Sequence, residues 1–154
     1  MTCTGRDGLQ QTASCTLFVR TIPTIGVSRI LAFGDSLTAG VTSDVIPTSV
    51  EIRPSKSYPA QLAELLSQRY SGQAIRVTNS GIPGEKAINA VSRFKRELAR
   101  VQPDVVLIME GTNDLDPDTL APGVQAAAAV ETMIQDAKTR GVDPILATIP
   151  PQRT

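Results

Sequence analysis

Four short apolar runs, the first three each followed by a polar turn and all separated by stretches of helical spacing, constrain this 154-residue chain more than any other feature. The first, Arg29 to Phe33, is apolar without interruption through Ile30-Leu31-Ala32, as expected of a central strand buried on both faces. Ala74 to Thr78 reads as a second strand, Val105 to Met109 as the third and most apolar, and Pro144 to Ile149 as the fourth. Tyr58-Pro59 opens a helix with Leu62, Leu65 and Leu66 at helical spacing, and Gly72 closes it. A second helix runs through Arg100 with Ala87, Val91, Phe94 and Leu98 inward. A third, rich in alanine, spans about Pro122 to Arg140 and stops at Gly141. Strictly alternating strands and helices imply parallel pairing with right-handed crossovers, so every strand-to-helix turn should lie on one edge of the sheet.

That edge is where open α/β sheets bind ligands. After the first strand, Phe33-Gly34-Asp35-Ser36-Leu37-Thr38-Ala39-Gly40 reads as an abrupt turn that throws Ser36 outward with its N–H at a helix start. After the second comes Asn79-Ser80-Gly81-Ile82-Pro83-Gly84, and after the third Glu110-Gly111-Thr112-Asn113-Asp114. Taken singly, each has an ordinary explanation. Asp35 and Ser36 are preferred helix caps, Gly81 suits a left-handed turn, and Asn113 suits an Asx turn. Those explanations leave the convergence of all three on one rim unaccounted for. A serine nucleophile needs a base, and the oxyanion it creates needs donors about 3 Å away. The N–H groups of Ser36 and Gly81 and the side-chain amide of Asn113 are candidates for those donors.

Composition narrows the chemistry further. Fifteen basic and fifteen acidic residues cancel, and no Lys/Arg run of five or more occurs, so the electrostatic footprint of a nucleic-acid binder is missing. The chain contains no histidine, which removes both the commonest metal ligand and the commonest general base. Cys3 and Cys15 sit in a polar leader and suit neither a metal cluster nor a disulfide framework. No apolar run is long enough for a membrane-spanning helix. Residues 1–28 read as a flexible leader, in which Leu17-Phe18-Val19 is too short for the apolar core of a secretory signal, and 29–154 as one domain. The stretch Val41 to Lys56, with Pro47 and Pro54, reads as a loop beside Ser36 placed to contact substrate.

The three turn sequences carry a family resemblance: Gly34-Asp35-Ser36-Leu37, Asn79-Ser80-Gly81 and Gly111-Thr112-Asn113-Asp114 resemble the first three blocks of the SGNH/GDSL hydrolases. Thr148-Ile149-Pro150-Pro151 is also similar to members of that family. The resemblance implies a three-layer, flavodoxin-like α/β/α fold that acts on esters or acetyl groups with no cofactor and no metal; a small or medium acyl ester is the least committed substrate, with lysophospholipids and acetylated sugars left open. It casts Ser36 as nucleophile, and Gly81 and Asn113 as oxyanion donors beside the Ser36 N–H. Gly34, Asp35, Asn79, Gly111 and Asp114 take supporting places. Localisation stays open: cytoplasmic by default, exported by analogy with relatives.

The family's last block, an Asp-x-x-His, has no counterpart here. Glu110 and Asp114 lie near the rim, but a carboxylate of ordinary pKa near 4 is a weak base towards a hydroxyl. Loss of the base in a serine hydrolase costs about 10⁶ in turnover and leaves roughly 10³–10⁴ over water, so negligible activity is expected from this chain alone. The fold is expected to be incomplete at its carboxyl end, with an open outer edge on the fourth strand that invites self-association. A non-catalytic carboxylate- or acyl-binding module, or a decayed remnant of the family, is the alternative. A phosphate or nucleotide binder is a weaker reading, because Gly-x-x-x-x-Gly-Lys and Gly-x-Gly-x-x-Gly are both absent.

Overall fold

The structure is a computed structural model that describes residues 2–6, 8–9, 11–16, 21–43, 50–115 and 120–149. At its start, β1 (Thr2–Arg6) and β2 (Thr12–Thr16) form an antiparallel hairpin within the stretch read as a leader, where the sequence reading assigned no element. Cys15 there is an exposed free thiol, and the Leu17-Phe18-Val19 cluster lies outside the described residues. The segment before the next strand is tied to the body. The Gln73 side chain accepts from the Ile25 N–H at 2.7 Å and donates to the Ile25 carbonyl at 2.8 Å. One Asp104 carboxylate oxygen accepts from the backbone N–H groups of Ser28 and Arg29, each at 2.8 Å. Those donors hold its carboxyl at about 2, well below the usual range.

Strand β3 (Arg29–Gly34) is the central element, with Leu31, Ala32 and Phe33 wholly buried. A single helical turn, α1 (Ser36–Ala39), follows and is closed by Gly40 at φ 88°. Within the stretch expected as a loop, β4 (Val41–Ser43) and β5 (Val50–Ile52) pair antiparallel, and a 3₁₀ turn, Pro54–Lys56, leads into the next helix. Pro47 lies outside the described residues. The pairing reflects a pattern the prolines obscured: Val41 and Ile52 stand opposite one another, and the Arg53 N–H donates to the Gly40 carbonyl at 2.8 Å. Helix α2 (Tyr58–Arg69) ends three residues short of Gly72, and its Leu65 is exposed rather than packed.

Strand β6 (Arg76–Gly81) starts later and runs further than the apolar pattern indicates. Asn79, Ser80 and Gly81, expected to form a turn, are the last rungs of a ladder with Ala32, Phe33 and Gly34. Their polarity is compatible with a strand because the side chains find partners: Asn79 on α1 and Ser80 on Glu97. Helix α3 (Ala87–Val101) buries Ala87, Ala90, Phe94 and Leu98. Strand β7 (Val105–Met109) has the expected bounds, α4 (Ala121–Thr139) nearly so, and β8 (Asp143–Leu146) begins one residue earlier and stops sooner than expected. The proline run Pro150-Pro151 lies outside the described residues.

The main sheet has the order β6-β3-β7-β8, and all of its pairings are parallel. From β3 the chain crosses first to one side, through α2 to β6, and then back over β3, through α3 to β7. Right-handed crossovers in opposite directions place α2 and α3 on opposite faces, which makes three layers. The main core lies on the α3 and α4 side, where Leu31, Phe33, Val106 and Ile108 meet Phe94, Leu98, Val130 and Met133. The Phe33 and Phe94 rings meet edge to face with centroids 4.9 Å apart.

Candidate active site

Gly34, the last residue of β3, stands opposite Gly81 of β6 on one side and Met109 of β7 on the other. The three signature turns therefore leave the sheet from a single row. Backbone bonds fasten that row: the Ile82 N–H donates to the Gly34 carbonyl at 2.9 Å and the Asp35 N–H to the Met109 carbonyl at 3.3 Å. A side chain at Gly34 would collide with Thr38 and the Met109 carbonyl. The crevice opens between β3 and β7, whose following helices go to opposite faces, at the switch point of the sheet.

Ser36 is partly exposed at the start of α1, and its backbone N–H and hydroxyl have no hydrogen-bond partner among the described residues. Asp35 is buried beneath it, and one carboxylate oxygen accepts from the Leu37 N–H at 2.9 Å. Burial pushes its carboxyl up, and the Leu37 bond opposes that shift. Asp35 thus shapes the turn that presents Ser36.

Asn79 braces the same turn from β6. Its amide donates to the Thr38 carbonyl at 2.8 Å and the Ser57 hydroxyl at 3.3 Å, and its oxygen accepts from the Gly81 N–H at 3.0 Å. The Gly81 N–H, expected as an oxyanion donor, is thereby engaged within the protein. Gly81 also lies so close to the backbone of Thr38 and Ala39 that no Cβ fits. Three residues on, Gly84 takes φ 76° with open space around its Cα, and its N–H has no partner among the described residues. Its signal in the sequence was the turn Ile82-Pro83-Gly84 itself, where a left-handed glycine is the ordinary expectation.

The third turn begins at Gly111, φ 111°, and winds through a 3₁₀ turn, Thr112–Asp114. The Asn113 amide donates to the Glu85 carbonyl at 2.8 Å, which sets it against the 82–86 turn that carries Gly84. Asp114 is buried and accepts from the Ala87 N–H at 2.7 Å, so the cap of α3 comes from another element.

Beneath the rim lies a charged cluster that the sequence reading did not foresee. Arg93, on α3, donates to both Glu85 carboxylate oxygens and to the carbonyl and hydroxyl of Ser80. Its guanidinium carbon sits 3.9 Å from the centre of the Phe33 ring. Glu110 is buried with its carboxylate 3.7 Å from Arg93 and without a hydrogen-bond partner among the described residues. Burial first, then the charges of Glu85 and Asp35, raise its carboxyl to about 8. Glu110 is therefore not a carboxylate of ordinary pKa: burial favours its protonated form, and no hydrogen bond joins it to Ser36 among the described residues. Glu85 lies before the start of α3, outside the helix that carries Arg93, so helical spacing does not pair the two and no local signal discloses the cluster.

Among the described residues, no group of three or more His, Cys, Asp or Glu is placed to hold a metal ion, and no helix is long and apolar enough to cross a membrane. Beside Gly111, an apolar cleft of about 320 Å³ runs between α4 and the end of β8, lined by Leu115, Ala126, Val130, Leu146 and Ile149.

A sequence model of the GDSL-like lipase/acylhydrolase family matches residues 32–154. An arylesterase from Vibrio mimicus is 34% identical over 86 residues, covering 56% of this chain and 38% of that protein. The crystal structure of AlinE4, an SGNH-hydrolase family esterase, superposes with a TM-score of 0.61 at 26% identity, over 84% of this chain and 64% of that one. An acetyl xylan esterase variant from Geobacillus stearothermophilus superposes at 0.58 with 25% identity, over 77% and 58%. The chain thus spans less than two thirds of each of these relatives. The family match takes in all three turns of the rim and the sheet that aligns them, and on that ground the chain belongs to the GDSL-like lipase/acylhydrolase family of SGNH hydrolases.

Proposed function

We propose that this chain carries the nucleophile and oxyanion half of a serine ester hydrolase acting on small or medium acyl esters. The observation that supports this most is the row Gly81, Gly34, Met109, from which Ser36 and Asn113 leave the same edge of the sheet. In the reaction, Ser36 Oγ attacks the ester carbonyl carbon and gives its proton to a base, and the carbonyl electron pair moves to oxygen. The Ser36 N–H and the Asn113 amide stabilise that oxyanion. The third donor is a glycine N–H. Gly81 is the one the motif nominates, but its bond to Asn79 favours Gly84, whose N–H has no partner among the described residues and whose neighbour Glu85 accepts one Asn113 amide N–H at its carbonyl, leaving the other N–H of that amide to donate. Collapse of the intermediate expels the alcohol, protonated by the same base, and water then releases the acid from the acyl-serine. The cleft between α4 and β8 suits the acyl chain.

The 154 residues hold no histidine, and Ser36 Oγ has no hydrogen-bonded base among the described residues. We therefore assign the base and its orienting acid to residues outside this sequence, and expect the chain alone to turn over little substrate. Hydrolysis of p-nitrophenyl acetate and butyrate, by this chain, by its Ser36→Ala variant and by a form extended with the downstream genomic sequence, tests the assignment. Ser36-dependent turnover in the extended form alone supports it, and Ser36-dependent turnover by the short form would overturn the external base. The unpaired Ser36 hydroxyl also fits the second reading, a module that holds a carboxylate or acyl group without cleaving it. Saturable acetate binding with no Ser36-dependent turnover in either form would favour that reading.

A further inference from the structure

We propose that Arg93 is the positioning residue of the rim, one planar guanidinium that joins the ends of β3 and β6 to the third turn and, through Glu85, fixes the Asn113 amide. The inference rests on the hydrolase reading above for its functional meaning, although its geometry stands apart from it.

Each arm of the guanidinium meets a different part of the rim. Nη1 donates to the Ser80 carbonyl and hydroxyl, both at 2.9 Å, and so holds β6 immediately before Gly81. Nη2 reaches the Gly34 carbonyl at 3.5 Å, next to the turn that presents Ser36. Nε lies 2.9 Å from both Glu85 carboxylate oxygens, and Nη2 completes that ion pair. The Glu85 main-chain carbonyl then accepts the Asn113 amide at 2.8 Å. With Nη2 also 3.7 Å from Glu110, the residue immediately before the third turn, a single side chain on a rigid helix reaches the segments that carry all three motifs.

Arginine suits this task because its donors are fixed in one plane and point in several directions at once, whereas lysine is a point charge on a flexible stem. If Arg93 served only to neutralise Glu85, lysine would replace it. If it orders the rim through its fork, lysine would not. Both roles would leave the distant core intact, so the discriminating readout is the rim itself.

The test is ¹H–¹⁵N spectroscopy of the 154-residue chain carrying Arg93→Lys, with Arg100→Lys as control. Arg100 lies on the same helix but is exposed and paired with Glu97. In Arg93→Lys, the Asn113 side-chain amide proton held by the Glu85 carbonyl should exchange with solvent about tenfold faster, as expected when a partly buried hydrogen bond loses its support. Shifts should concentrate at Ser80, Gly81, Glu85 and Asn113, while α4 and β7 keep their native dispersion. Unchanged Asn113 exchange would overturn the proposal, as would an equal effect of Arg100→Lys. Collapse of the whole spectrum would also overturn it, by making Arg93 a requirement for folding rather than for rim geometry. None of these readouts involves hydrolysis, so absence of Ser36-dependent turnover in the extended form would count against the hydrolase reading and leave this one to be judged separately.

Discussion

The carboxylate of Asp114 caps helix α3 by accepting the Ala87 N–H at 2.7 Å across 27 residues of sequence. The turn that carries Asn113 is thereby fastened to the helix that carries Arg93, and the helix start, which lacks a side-chain cap of its own at Lys86, is satisfied from outside.

Replacing that carboxylate exposes its contribution. Asp114→Ala leaves the buried Ala87 N–H unpaired and should cost about 1–3 kcal/mol, the range for losing a cap or an otherwise unsatisfied buried bond. Urea denaturation of the two proteins measures it, and a loss below about 0.5 kcal/mol would place the cap's energy elsewhere.

Gly81, at the end of β6, and Gly84, in the turn that follows, should respond differently to alanine. Gly81→Ala forces a Cβ into the Thr38 and Ala39 backbone, which has no room to move, and should destabilise by about 3 kcal/mol or more. Gly84→Ala meets open space and carries only the strain of φ 76°, about 1–2 kcal/mol. Thermal melts of both variants check the order, and equal losses would contradict the packing around Gly81.

Glu110 should make stability fall as pH rises. Its folded carboxyl titrates at about 8 against an ordinary 4.5, so between those values the folded state holds a proton that the unfolded state has released. The stabilisation is complete below the lower value, declines across the window and is gone above the upper one. Urea midpoints from pH 5 to 9 should show that decline in the wild type, and Glu110→Gln should flatten it. A wild-type profile without slope in this window would mean that Glu110 is already ionised.

The outer edge of β8 pairs with no strand among the described residues, and its Ile145 and Leu146 are each more than half exposed. Open apolar edges recruit further chains, so the protein should self-associate with rising concentration. Sedimentation velocity should show that association and its weakening in Ile145→Lys. A wild-type protein that stays monomeric at every concentration would refute it.

How far the sequence alone reaches can be read from particular elements. The run Val105 to Met109 and the alternation of runs and helices disclosed the parallel sheet and placed Ser36 and Asn113 on one rim, because apolar period and turn chemistry are local properties. The same local signals ended the second strand too early, at Thr78, because the partners that make Asn79 and Ser80 acceptable in a strand lie 41 residues back and 17 residues ahead. Only the tertiary structure decided which glycine N–H stays free, why Glu110 is a weakly acidic group rather than an ordinary carboxylate, and how Arg93 binds the rim together. Each of those depends on burial and on contacts between residues far apart in the chain, where hydrogen-bond partners and desolvation set the chemistry and no spacing rule records them.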